Sequence, residues 1–232
     1  MLKVRVIAVV LINEGNVVQT RQFKITNIVG NVKTAVKFFA KWDADEIVLI
    51  DISKQPWPGM LKCIEDVVDN VYVPVTVGGH INSIDKIRDI MLAGGDKVLV
   101  RRYATEHSTF LMSVAEKLGT QAVIFGMDIN AGNADGRGLL GAGEILLNSV
   151  QRDGTKLGYN LEAIEAVSQA LKVPVIAMGG AGKPEHFAEA VKAGASAVAA
   201  GNFFHYMEHA TVKAKQALKA AGYPVREAVL TN

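Results

Sequence analysis

The sequence predicts an α/β protein, a (β/α)8 TIM barrel occupying residues 1–232 as one domain. Three observations carry this expectation. Eight short apolar runs alternate with helical patterns, most of these runs are apolar throughout, and segments about a hundred residues apart resemble one another. Continuous apolar runs are what strands buried on both faces of a parallel sheet require. Eight such alternations, related as two halves, favour a closed barrel over an open doubly wound sheet.

The strand-like runs lie at about 4–10, 46–51, 74–78, 97–101, 122–128, 144–149, 174–178 and 197–200. Helical patterns fall at about 31–43, 59–70, 82–93, 106–118, 160–171, 184–193 and 207–221. The repeat is plainest where Pro74 to Gly79 matches Pro174 to Gly180 in kind. Leu92-Ala93-Gly94 before Lys97 to Val100 likewise matches Lys192-Ala193-Gly194 before Ala197 to Ala200, and Glu46 to Ile50 is echoed by Glu144 to Leu147. Strands that stop at Gly78-Gly79, at Gly179-Gly180 and at Ala200-Gly201 suit phosphate. Glycine lets backbone N–H groups approach an anion, and a following helix N-terminus adds its dipole.

One crossover departs from the pattern. Between Asp128 and Glu144 lie fifteen residues, INAGNADGRGLLGAG, of which five are glycine. A parallel crossover normally carries a helix, and each interior glycine opposes one by about 1 kcal/mol relative to alanine. The fifth crossover helix is therefore short or missing, either vestigial or cut from the sequence at this point.

Composition sets limits on function. Half the residues are hydrophobic, so a substantial core is available, and the net charge of +2 with no basic run excludes a nucleic-acid partner. A single cysteine, Cys63, fits a reducing, cytoplasmic setting and reads as helix filler. The apolar start MLKVRVIAVVLINEG is too short to span a bilayer, so no membrane role is expected. No histidine has metal-ligand spacing, so neither a metal nor another cofactor is expected.

Barrel active sites sit at the C-terminal strand ends. There Asp51 ends the second strand and Asp128 the fifth, both candidate acid–base groups. Asp153, Gly154 and Thr155 follow the sixth strand and read either as a substrate loop or as an Asp-Gly turn. Arg101 and Arg102 follow the fourth and read either as anion ligands or as a solvated pair. Leu11 closes the first strand, matching Asp128 by the repeat, so a pair of carboxylates is incomplete. At the opposite end Arg5, Glu46, Lys97 and Glu144 open four strands, as ordinary strand-end charges or as a ring that must pair to offset desolvation.

The stretches GAGEILLNSVQRDGTKLGY and PVIAMGGAGKPEHFAEAVKAGASAVAA resemble HisF, the cyclase subunit of imidazole glycerol phosphate synthase, and the resemblance spans nearly the whole chain. It implies a barrel with two phosphate sites for a long bis-phosphorylated substrate, and a glutaminase (HisH-like) partner at the barrel bottom sending ammonia through the core. Arg5, Glu46, Lys97 and Glu144 match the family's charged gate. Asp153, Gly154, Gly180 and Ala200 match its second phosphate site, with Gly201 in place of a usual serine, and Asp128 matches a catalytic aspartate. Leu11 stands where the other catalytic aspartate belongs, Gln19 where a loop lysine belongs, His80 where a third glycine belongs, and Arg101-Arg102 where an Asn-Thr pair belongs. The stretch VVLINEGNVVQTRQFK is more similar to HisF paralogs linked with acetamidino-sugar formation, which implies a sugar amidotransferase as a further partner. The resemblance thus leaves three expectations: that paralog, the histidine-pathway lyase itself, or a non-catalytic subunit that activates its glutaminase.

Overall fold

The structure is a computed structural model in which residues 2–130 and 133–227 are described. In chain order its first half comprises β1 (Arg5–Asn13), β2 (Asn16–Arg21), β3 (Lys24–Asn31), α1 (Val32–Lys41), β4 (Glu46–Asp51), α2 (Met60–Val68), β5 (Val75–Gly78), α3 (Ile84–Leu92), β6 (Lys97–Val100), α4 (Arg102–Glu106) and α5 (Phe110–Leu118). The second half comprises β7 (Val123–Asn130), β8 (Asn133–Ala134), β9 (Glu144–Ser149), α6 (Leu161–Ala170), β10 (Val175–Met178), α7 (Glu185–Lys192), β11 (Ala197–Ala200), α8 (Asn202–Tyr206) and α9 (Ala210–Ala220).

Strands β1, β4, β5, β6, β7, β9, β10 and β11 are parallel neighbours in that order. The circle closes where β11 pairs back onto β1, Arg5 opposite Ala197 and Ala8 opposite Ala200. This is the expected (β/α)8 barrel. Closure divides the apolar residues into two sets. Val6, Ala8, Val10, Ile47, Leu49, Val75 and Val77 pack outward with helix residues such as Val36, Ile64 and Ile87. Ile7, Val9, Val48, Leu99, Ile124, Leu146, Ile176, Met178, Ala197 and Ala199 form a second cluster with no helix member, the barrel lumen. Alternate residues of a strand face opposite sides, which is why the two sets interleave along each strand.

Two features differ from the sequence expectation. Residues 16–31 form an antiparallel hairpin, β2 with β3, that extends β1 above the barrel. Its entry is a two-residue turn with Glu14 at φ 50° and Gly15 at φ 81°, the left-handed pair that two-residue hairpins use. The helices expected from 106 and 207 are each preceded by a separate short helix, α4 and α8, that begins one residue beyond the strand, after Arg101 and Gly201.

Between Asp135 and Gly143 the described backbone forms turns and no helix; Ala131 and Gly132 of the same run lie outside the described residues. The glycines have a packing reason. A Cβ on Gly138 would lie 2.6 Å from the backbone of Ala104, on Gly141 2.5 Å from that of Leu111, and on Gly143 2.3 Å from that of Thr120. The loop lies flat on α4, α5 and the turn after α5, covering the barrel wall by backbone contact. Gly141 also has φ 93°. Replacing Gly141 by alanine is expected to cost about 2–3 kcal/mol in urea unfolding. Gly136→Ala, whose added Cβ meets nothing nearer than 3.6 Å, is expected to stay within about 1 kcal/mol of the parent protein.

Candidate functional site

At the N-terminal mouth the four expected charges form a closed ring. Arg5 Nη1 lies 2.8 Å from Glu46, and its Nη2 pairs with Glu144. Lys97 Nζ lies 3.2 Å from Glu46 and 2.8 Å from Glu144. Each is the first inward-facing residue of its strand, so closure brings them together from β1, β4, β6 and β9. Glu46 is the deepest member, and its Oε1 accepts from Thr76 Oγ1 at 2.8 Å as well as from Lys97 Nζ at 3.3 Å. Burial opposes the charge on Glu144, but Arg5 and Lys97 outweigh it and hold this carboxyl below its ordinary value of 4.5. Burial likewise opposes the Arg5 charge, and Glu144 and Glu46 together raise its pKa.

At the C-terminal mouth two cavities adjoin. One, of about 650 Å3, runs beneath the β2–β3 hairpin to the end of β6 and is lined by Asp51, Gly79, His80, Arg101, Arg102 and Asp128 among others. The second, of about 190 Å3, lies against Gly179, Gly180, Ala200 and Gly201, with Gly154 and Lys156 across from them. Leu11, Asp153 and Met178 line both, so the two make one cleft with a first-half arm and a second-half arm.

The expected residues divide into those facing this cleft freely and those already engaged. Asp128 faces inward at the end of β7. Its Oδ2 lies 2.7 Å from Arg101 Nη1, and Asn148 Nδ2 donates to its Oδ1 at 3.4 Å. Burial raises its pKa, Arg101 and Asn148 oppose that, and Asp153 adds to it. Arg101 therefore sits on Asp128, a placement that the expectation of an anion ligand did not include. Gly78 and Gly126 make room for this strand: their added Cβ atoms would come 3.1 Å from the Cβ of Leu99 and of Arg101.

Two other carboxylates are structural in their bonding. Asp51 accepts from the backbone N–H of Ser53 at 3.0 Å and of Trp57 at 2.8 Å, shaping the loop after β4. Asp153 Oδ2 accepts from Thr20 Oγ1 at 2.7 Å and from Phe23 N–H at 3.1 Å, fastening the hairpin over the cleft. Thr155 Oγ1 donates to Arg152 O at 2.7 Å within its own loop. These three line or border the cleft by holding its walls.

The duplication survives in backbone detail. Gly79 and Gly179 have φ 97° and 93°, and Arg101 and Gly201 share an unusual backbone, φ −121° and ψ −85° against φ −102° and ψ −82°. His80 takes φ 53° where Gly180 has 102°, and its Nε2 lies 2.9 Å from Ser53 O. Where the second half presents bare backbone, the first half presents side chains.

Three features of the site were missed by sequence reasoning. The hairpin was signalled by Glu14-Gly15 between apolar runs. Lys156, with Nζ 4.0 Å above the Tyr206 ring, sat in a segment read for Asp153, Gly154 and Thr155. Asn148 carried no signal, since a strand-end asparagine looks like any loop cap. Its Oδ1 is the one buried side-chain polar atom among the described residues without a partner. Among those residues no group of three His, Cys, Asp or Glu is arranged to hold a metal ion, and no helix is long and apolar enough to cross a membrane.

A barrel with a charged ring at one mouth and a two-armed, glycine-walled cleft at the other matches one sequence family. The family described as Histidine biosynthesis protein matches residues 5–210, and the chain belongs to it. Within that family it is of the HisF type. It is 38% identical to the "Putative imidazole glycerol phosphate synthase subunit hisF2" of Vibrio vulnificus, covering 97% of this chain and 92% of that one. It is 37% identical to the imidazole glycerol phosphate synthase subunit HisF of Thermococcus gammatolerans and 35% identical to that of Pyrococcus furiosus, covering 97% of this chain and 99% of each relative. The first alignment runs over 250 positions against a chain of 232, so that relative carries residues this chain lacks.

The ring makes a pH prediction. Because the folded pKa of Glu144 is depressed, its contribution to stability is complete above 4.5 and is lost as pH falls through the lowered value. Glu144→Gln is expected to cost about 1–3 kcal/mol near neutrality, less than for a fully buried pair because Arg5 is 30% exposed. Urea melts of both proteins from pH 7 to pH 3 check this: the gap should hold to about pH 5 and close towards pH 3.

Proposed function

We propose that this chain is the ammonia-using barrel of a two-subunit system, with a glutaminase of the HisH type as partner and a phosphorylated small molecule as ligand. Ammonia enters at the charged ring, crosses the apolar lumen and reaches the cleft beside Asp128. The observation that carries this is the pairing of an intact four-charge ring with an apolar lumen that opens onto the cleft. Neutral ammonia crosses such a lumen readily, whereas an ion would lose its hydration there.

The partner's place is supported by the exposed apolar residues of the ring's face. Leu2 precedes β1, Tyr72 precedes β5, and Leu92 and Leu118 end α3 and α5. Helices run back against the strands, so all four lie on the N-terminal face. Exposed apolar side chains grouped around a charged opening suit a protein surface.

Within this scheme the chain serves the paralog's role, supporting acetamidino-sugar formation with a sugar amidotransferase. The support is chemical. Leu11 and Asp128 occupy matching inward positions, so this pair supplies one carboxylate where cleavage and cyclisation use two. The histidine-pathway reaction is the second reading, favoured by the presence of Asp128 and by the names of the relatives. A single-turnover assay with the HisF substrate and excess ammonium salt separates them. The paralog role predicts turnover at least about 10²-fold below that of an ordinary HisF, the usual cost of a lost acid–base group. A rate near that of HisF would establish the histidine-pathway reading instead.

The second-half arm offers a direct binding test. A side chain at Gly180 would strike Gly158 O at 2.1 Å, whereas one at Gly201 meets only Val9 O at 3.4 Å. Gly201→Asp thus sets a carboxylate in the arm without a clash. It is expected to weaken binding of a phosphorylated ligand by at least about tenfold in calorimetry, with the unfolding midpoint unchanged. Unaltered affinity would remove this arm from the site.

A further inference from the structure

We propose that Arg101 serves two anions in turn: Asp128, which it holds ionised, and the charged end of a ligand in the first-half arm, whose arrival leaves Asp128 to take up a proton from solvent. The inference rests on the reading that the cleft arms take phosphate-like anions, and adds to it a link between ligand binding and the protonation of Asp128.

The geometry places Arg101 between the two. It continues the inward stripe Lys97, Leu99, Arg101, and Gly126 on the neighbouring strand leaves space for its side chain. Its Nη1 contacts Asp128 Oδ2, yet 47% of the side chain is exposed, while only 16% of the Asp128 side chain is. A ligand in the cleft can therefore reach the guanidinium and cannot equally solvate the carboxylate. Guanidinium has five donors in a fixed fork, so a tetrahedral dianion competes well against a single carboxylate contact. The arginine is particular to one half, since Gly201 occupies the same backbone in the other.

Once that contact is lost, the surroundings of Asp128 determine its protonation. Asn148 of β9 and Asp153 of the following loop face it, alongside Arg101. Elsewhere on the cleft wall lie Asp51, His80, Lys86, Arg102 and Glu106, from β4, the loop after β5, α3 and α4. Asp51 is held by Ser53 and Trp57, and Arg101 provides the ion pair to Asp128 found among the described residues. Without it, burial and the nearby Asp153 both favour a neutral carboxyl. The protonated form has a partner ready. Asn148 Oδ1 is buried and unpaired, and turning the amide over presents it to the Asp128 O–H. The orphaned acceptor is then satisfied, with the amide NH2 taking the buried place it leaves.

The test is the carboxyl 13C resonance of Asp128, assigned with Asp128→Asn and followed against pH with and without sulfate, an anion that carries no titrating proton near neutrality. Sulfate is expected to raise the midpoint by about one pH unit, and Arg101→Gln to raise it similarly without sulfate, after which sulfate adds little. Arg101 is half exposed, so the variant should fold, which its amide spectrum verifies. A midpoint that ignores Arg101→Gln overturns the proposal. So does a midpoint that ignores sulfate while the Gly179–Gly201 amides respond; the anion-binding reading would then still stand. If sulfate perturbs neither arm, the anion-binding reading fails and the proposal fails with it.

Discussion

Strand β1 is hydrogen-bonded on both sides, to β4 and to β11, and that double pairing governs everything else in the molecule. Once the eight barrel strands have no edge, every second residue of each must face the same enclosed lumen. Strand β9 shows the result in five residues: Glu144 in the ring, Leu146 in the lumen, Asn148 at the upper mouth. At about 3.3 Å per residue the two mouths are only about 13 Å apart, joined by apolar side chains. A charged end and a polar end separated by so short an apolar column result from pattern and closure together.

The two ends handle charge in opposite ways. In the ring, two cations and two carboxylates satisfy one another. At the upper mouth Asp51 and Asp153 are taken up by their loops, Asp128 has one half-exposed cation, and an asparagine oxygen has no partner. Fully paired charges hold a shape, whereas incompletely paired ones are where ligands act.

Much of this is legible in the sequence. All eight barrel strands can be placed to within about three residues at either end, because continuous apolar runs bounded by glycine and proline leave few other assignments. The ring is visible as charges opening four strands, although only closure shows that they meet. The hairpin is hidden because its outer strand, β3, is exposed along its whole length and has no buried alternation to reveal it. The engagement of Asp51, Asp153 and Arg101 is invisible for a different reason. Asp153 and Arg101 are bonded to groups far away in sequence, Asp51 to the nearby Ser53 and Trp57, and residue type alone cannot distinguish a carboxylate that meets a ligand from one that holds a loop.

The numbering of the two halves carries a historical consequence. Strands β5 and β6 and helix α4 are each matched one hundred positions later by β10, β11 and α8, so these segments have kept a common ruler. By contrast Leu11 and Glu46 are 35 positions apart and their counterparts Asp128 and Glu144 only 16. The halves have thus diverged in length mainly at a single connection, which in one copy is a hairpin with a helix and in the other a glycine loop. The barrel is like a folded sheet of paper edited at one hinge: one flap is long, its twin is short, and the crease pattern in between is the same in both.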